Sequence, residues 1–268
     1  SDGPVPIARH PDVARMLGVM RGLTEGARAV AYVAAGYRDK AAHAADESVR
    51  AQARAIYEYS VPIVKAFSTE SSVEVASLGV QVHGGMGFIE ETGAAQYYRD
   101  ARILPIYEGT TAIQANDFIG RKIVRDGGKV AREQIAGVRD TVAALRAAGG
   151  AHADALELIA QRLEDAARAY EAAVDFVLGH IREDIRGVFT GSVPCLMLAG
   201  TVHAGWQLGR AALAAAAAIR AGAADPFNAG KIATAVQYAA HVLPRAAALN
   251  DAIQAGGLAD RYVRQARI

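Results

Sequence analysis

His10 to Ala34, HPDVARMLGVMRGLTEGARAVAYVA, is the stretch that decides the fold class. Pro11 stands where a helix begins, and its missing N–H has no intrahelical partner to lose there. Val13, Met16, Met20, Leu23, Ala27, Val30 and Ala34 then recur at steps of three and four. That spacing puts them on one stripe of a long amphipathic helix. The same period returns along the rest of the chain. Sustained period-two alternation appears nowhere, so no sheet is predicted.

Working outward, a break falls at about 40–46. A second helix is expected from Glu47 to about Tyr59, ending before Pro62, and a third from about Thr69 to Val82. Gly84-Gly85 follows, where glycine removes the steric cost of a left-handed cap. A short helix is expected over about Thr92–Arg102. Thr110 or Thr111 caps another that reaches about Arg125. Asp126-Gly127-Gly128 punctuates the chain and marks the expected domain boundary. Beyond it, Ile135, Val138, Val142 and Leu145 form one stripe. Leu156, Ile159, Leu163, Ala166, Tyr170, Val174 and Ile181 form a longer one. Further helices are expected over Val193–Ala221 and Phe227–Gln254. The reading is all-α: two consecutive helical bundles, residues 1–126 and 127–268.

Composition narrows the function. The 268 residues are 52% hydrophobic and 21% charged, as in a globular protein. A net charge of +1 gives no long-range attraction to nucleic acid or an anionic membrane. The apolar run Ala211–Ile219 falls well short of the roughly 18 residues that a membrane span needs. No secretory signal is visible in Ser1–His10. The single cysteine, Cys195, excludes an internal disulfide and reads as an inert core thiol. These features suggest a cytoplasmic chain, and the opening without Met suggests a piece of a longer polypeptide. The seven histidines show no metal-site spacing, so no metal is expected. Trp206 reads as a packing anchor.

Two segments have the residues for chemistry. In Tyr107-Glu108-Gly109-Thr110-Thr111 a carboxylate sits in a turn, with glycine directly after it and a capped helix beyond. Glycine lets a ligand approach the backbone closely. A surface turn with an ordinary N-cap has the same local pattern and is commoner. In Gln81-Val82-His83-Gly84-Gly85-Met86-Gly87-Phe88 the clustered glycines open the backbone to a phosphate or a flat ring. The Gly-Lys-Ser/Thr ending of a P-loop is absent, and no strand precedes it as in a dinucleotide fold. A plain helix cap and loop also fits. Arg99, Asp100 and Arg102 either brace the turn before Glu108 by ion pairs or form a solvated face.

Taken together, the segments resemble a known family. Gln81–Phe88, then Tyr98-Arg99-Asp100-Ala101-Arg102, then Ile106-Tyr107-Glu108-Gly109-Thr110-Thr111-Ala112-Ile113-Gln114, closely resemble the acyl-CoA dehydrogenases in order and spacing. About Pro4–Arg125 resembles that family's C-terminal helical domain, with its first helix truncated. Gly120-Arg121-Lys122 and the tail resemble its long-subunit bacterial branch, which has an extra C-terminal helical domain.

The resemblance implies a mechanism. Glu108 matches the glutamate that removes the α-proton of an acyl-CoA thioester, while a hydride leaves the β-carbon for FAD and trans-2-enoyl-CoA forms. The backbone N–H matching that of Glu108 helps stabilise the developing enolate. Tyr107 and Gly109 would flank the thioester. Gln81, Gly84 and Gly85 match positions that contact the FAD of a neighbouring subunit, and Thr110 a position near the flavin nucleotide of its own. Ala112 departs from the glutamine that many members use to hold FAD. The family's N-terminal helical domain, its β-domain and a phosphate-gripping arginine have no counterpart in the sequence. The chain is therefore expected to be inactive alone.

The implied partners are acyl-CoA, electron-transfer flavoprotein, and either a homodimer mate or a subunit supplying the missing domains. An oxidase that passes electrons to oxygen is a close variant. A structural or oligomerisation module is the alternative of another class.

Overall fold

The computed structural model describes residues 3–223 and 225–266. The outermost residues of both expected domains lie outside that range. Among the described residues every regular element is helical, as expected.

After a single 3-10 turn at Ile7–Arg9 come α1 (Pro11–His43) and α2 (Glu47–Val82), joined by a tight reversal. Asp46 caps α2 by accepting from the Ser48 N–H at 2.6 Å. Met16, Leu23, Ala27, Val30 and Ala34 are buried, so the stripe that decided the class is the core face of α1. Its other two members, Val13 and Met20, are half-buried.

The expected break before Pro62 does not occur. α2 runs unbroken through Pro62, which is buried in the helix interior. Proline there removes one backbone bond and costs about 3 kcal/mol in an isolated helix. Burial of Ile56, Tyr59, Ile63, Ala66 and Phe67 on both sides of it outweighs that loss.

Next come α3 (Gly85–Phe88), a 3-10 turn at Glu90–Thr92, α4 (Ala94–Ile103) and α5 (Thr111–Asp117), which continues as a π-helical segment at Phe118–Val124. Gly127 and Gly128 both adopt positive φ, 66° and 76°. Asp126 accepts from the backbone N–H groups of Gly128 and Val130 there, at 2.9 and 3.1 Å. Then follow α6 (Lys129–Ala147), α7 (Ala153–His180), α8 (Ile185–Thr190), α9 (Ser192–Arg220), α10 (Pro226–His241) and α11 (Arg245–Gln265). The single helix expected over Phe227–Gln254 is two. Pro244 has no N–H and disfavours helical backbone before it. The turn at Val242–Leu243 is instead buried.

α9 is central. From Cys195 to Gly209 all but Met197 and Trp206 are buried, as in a helix surrounded by others. It packs against α1, α2, α5, α7, α10 and α11. One contiguous core therefore runs from Val19 on α1 to Ile253 on α11. No described helix is long and apolar enough to cross a membrane.

Candidate functional site

Glu108 lies in the loop between α4 and α5. The chain leaves α4 through a tight turn, in which the backbone N–H groups of Ile106 and Tyr107 both donate to the Ile103 carbonyl, at 2.9 and 3.1 Å. The loop is closed by the Thr111 N–H donating to the Pro105 carbonyl at 3.1 Å. Thr110 caps α5, its Oγ1 accepting from the Ile113 N–H at 3.3 Å.

Glu108 has φ 51° and is the one non-glycine with positive φ among the described residues. For an L-residue that conformation costs about 1–2 kcal/mol. Gly109 follows at φ 92°, where any side chain would also crowd the Gln114 amide. The Glu108 side chain is exposed. Among the described residues, no carbonyl accepts from the backbone N–H groups of Glu108, Gly109 and Thr110. A carboxylate and unused N–H donors thus share one turn, which is the equipment for moving a proton beside a developing oxyanion.

α2 touches this loop from below. Lys65 Nζ donates to the carbonyls of Leu104 at 2.8 Å and Tyr107 at 3.2 Å, and lies 4.9 Å from the Tyr107 ring centroid. The Thr111 hydroxyl donates to Glu70 at 2.6 Å. Neither Lys65 nor Glu70 stands out in the sequence, because their partners lie some forty residues away. Of the two readings of Arg99, Asp100 and Arg102, the brace before Glu108 is not there. Arg99 pairs with Glu90 at 3.2 Å instead, and all three are exposed, so the solvated-face alternative holds.

The double-glycine segment forms the far end of α2. Gly84 has φ 62° with ψ −146°, a backbone conformation that glycine alone adopts readily, but not the left-handed cap that the sequence pattern predicts. A Cβ added at Gly84 or Gly85 would meet nothing within 4 Å, so that backbone is open to close approach. Gly87 has a different reason: a Cβ there would collide with the Val80 carbonyl. Gln81 is exposed beside this loop.

The chain does not bring its two groups of candidates together. Glu70, under the Glu108 loop, and Val82, at the end of α2, are twelve residues apart, about 18 Å at the helical rise. Tyr107, Glu108, Gly109 and Thr110 form one cluster, and Gln81, Gly84 and Gly85 another. The segment joining them exposes large apolar side chains, Met86, Phe88 (82% exposed), Tyr97 (77% exposed), Ile103 and Ile106, and Tyr107 and Ile113 are exposed at and just past its end. Large apolar side chains are thus left uncovered along this stretch. An apolar hollow of about 520 Å³ opens between α1, α2 and α4, lined by Met20, Leu23, Val75, Tyr97 and Ala101. No residue of the Glu108 loop lines it. No group of described residues has the make-up of a metal site.

Known proteins match along nearly the whole chain. A family model described as "Acyl-CoA dehydrogenase, C-terminal domain" matches residues 2–123, and one described as "Acetyl-CoA dehydrogenase C-terminal like" matches 134–259. A 3-methylmercaptopropionyl-CoA dehydrogenase from Ruegeria pomeroyi is 54% identical, over 89% of this chain and 40% of its own length. A broad-specificity linear acyl-CoA dehydrogenase from Mycobacterium tuberculosis is 35% identical, over 93% of this chain and 42% of its own. The chain therefore spans about two fifths of these relatives. In fold, an acyl-CoA dehydrogenase from Bacillus anthracis, solved in complex with FAD, superposes with a TM-score of 0.66 at 21% identity. That match covers 97% of this chain and 44% of the other.

Proposed function

The chain belongs to the acyl-CoA dehydrogenase family, and from that we propose that it is the base-bearing part of an enzyme that oxidises acyl-CoA to trans-2-enoyl-CoA. The observation that carries this reading is the Glu108 turn: an exposed carboxylate, held in a left-handed conformation, next to unused backbone N–H donors.

The Glu108 carboxylate takes the α-proton of the thioester. The Glu108 N–H donates to the thioester carbonyl and stabilises the negative charge that collects there. Tyr107 and Gly109 flank the thioester. FAD, when bound, accepts the hydride from the β-carbon. Gln81, Gly84, Gly85 and Thr110 are the residues we assign to holding it. Their geometry fits: the backbone is open at Gly84 and Gly85, and the Thr110 hydroxyl accepts in its cap and keeps its proton to donate.

The separation of the two clusters supports a flavin site completed by a second copy or by other domains, with the exposed Phe88 and Tyr97 as its covered surface. On this reading the chain is inactive alone and works as a homodimer or beside a subunit supplying the rest. The boundary lies at 126–127, with the base in the first part and a bracing bundle in the second. Electron-transfer flavoprotein is the electron acceptor, and the compartment is cytoplasmic. The 54% identity to an enzyme named for 3-methylmercaptopropionyl-CoA favours a short thioether acyl-CoA over a long fatty acyl chain.

The test uses the full-length polypeptide as wild type and Glu108→Gln. Flavin absorbance is followed without oxygen after addition of 3-(methylthio)propionyl-CoA or a linear acyl-CoA. Bleaching in the wild type, and its loss in Glu108→Gln with FAD retained, is expected. Equal bleaching in both moves the base elsewhere. A wild type that retains no flavin leaves the structural-module reading in its place.

A further inference from the structure

We infer that Lys65 and Glu70 are positioning residues that together set the direction of the Glu108 N–H and carboxylate; the catalytic sense of this rests on the function proposed above. They stand five residues apart on α2, about 7.5 Å along the helix axis. One holds each shoulder of the loop. Lys65 bonds the Leu104 and Tyr107 carbonyls before the glutamate, and Glu70 bonds the Thr111 hydroxyl after it.

The Tyr107 contact matters most. The peptide joining Tyr107 to Glu108 is planar and trans, so its C=O and N–H point in opposite directions. Holding the Tyr107 carbonyl toward Lys65 on α2 turns the Glu108 N–H away from α2. It also fixes the peptide about which Glu108 adopts φ 51°. An αL residue other than glycine persists only where its surroundings over-determine it. The Lys65 ammonium, the Glu70–Thr111 bond and the Thr111 N–H to Pro105 closure supply that constraint. Lys65 spends its donors on backbone carbonyls and lies over the Tyr107 ring, so its charge acts on the loop itself.

Two readouts on the full-length, flavin-loaded polypeptide test this, in wild type, Lys65→Met, Glu70→Ala, Thr111→Val and Glu70→Gln. The first is amide hydrogen exchange, which needs no turnover. Lys65→Met and Glu70→Ala should speed exchange at Thr111 roughly tenfold or more, the equivalent of one lost charge-assisted hydrogen bond. α1 should be unaffected, and Glu70→Gln, which keeps the acceptor, should match wild type. If Lys65→Met fails to fold, Glu70→Ala and Thr111→Val serve the same purpose.

The second readout is anaerobic flavin reduction with unlabelled and α-deuterated acyl-CoA. Lys65→Met should slow reduction roughly 10–100-fold, as expected of a misplaced base. It should also raise the α-deuterium isotope effect, with acyl-CoA binding retained. Unchanged exchange in the loop, or faster exchange spread over the whole chain, overturns the clamp. Faster loop exchange with unaltered flavin reduction overturns its positioning role. A wild type that never reduces its flavin sinks the proposed function on its own account, and exchange still decides the clamp.

Discussion

Two residues are held in states they would not choose in isolation. Glu108 is one: its backbone is left-handed while its side chain is exposed, so burial of the side chain does not hold it there. His203 is the other. It is buried on α9 beside Tyr59, Tyr170 and Trp206, with ring centroids 5.8, 6.2 and 6.1 Å away. Its Nδ1 meets the Ala199 carbonyl at 2.7 Å, while Nε2 has no partner among the described residues. Burial pushes its pKa down from 6.5 to about 4. Between those values the unfolded chain binds a proton that the folded chain refuses. Stability is therefore full above pH 6.5, falls as pH drops toward 4, and loses no more to this group below that. The loss is on the order of 3 kcal/mol. Denaturant titrations between pH 7 and 4 should show it, and His203→Asn should flatten the slope. An equally steep slope in the variant would assign the acid sensitivity to other groups.

Elements here are set by how closely they approach. α9 presents glycine and alanine where other helices cross it. A Cβ at Gly200 would lie 2.5 Å from the Phe67 ring on α2. Similarly, a Cβ at Gly26 on α1 would lie 2.9 Å from Ala204 on α9. Gly200→Ala should therefore destabilise by about 1–3 kcal/mol through overpacking, although alanine is the better helix former. Chemical denaturation measures it, and a stabilised variant would show that α2 and α9 can separate freely. The same contact region explains why α2 survives Pro62. Ile56 and Tyr59 before it, and Ile63 and Phe67 after it, are buried in a core that fixes the helix on both sides of the missing bond.

Over the whole molecule, the parts before and after Asp126 do not close separate cores. α1 packs on α9 and α10, and α2 on α9. Glu25 on α1 meets Lys231 on α10 at 2.8 Å, and Glu74 on α2 takes two bonds from Arg245 on α11 at 2.7 and 2.8 Å. Removing residues 127–268 would expose Val19, Leu23, Ile63 and Phe67. Residues 1–126 alone should be aggregated or lack a cooperative thermal transition, whereas the full-length polypeptide melts cooperatively. A soluble, cooperatively melting 1–126 would make the second part an accessory to the fold.

What the sequence determined by itself is local. The three-and-four spacing fixes helices, because each periodic stripe needs only its own turn geometry. The Gly84-Gly85 and Gly127-Gly128 pairs mark where helices stop, because glycine tolerates backbone that other residues resist. The order of the Gln81–Phe88 and Ile106–Gln114 segments carries the family. The remainder depends on partners distant in the chain and appears only with packing. It carries α2 through Pro62 and divides the last helix at Pro244. It leaves Arg99, Asp100 and Arg102 on a solvated face, one of their two readings, and bonds the loop to Lys65 and Glu70, about forty residues before it. It also sets Glu108 in a left-handed turn that no side-chain pattern announces. Helical period is a property of neighbouring residues, whereas burial, crossing distance and loop strain exist only once α2, α9 and the Glu108 loop are in contact.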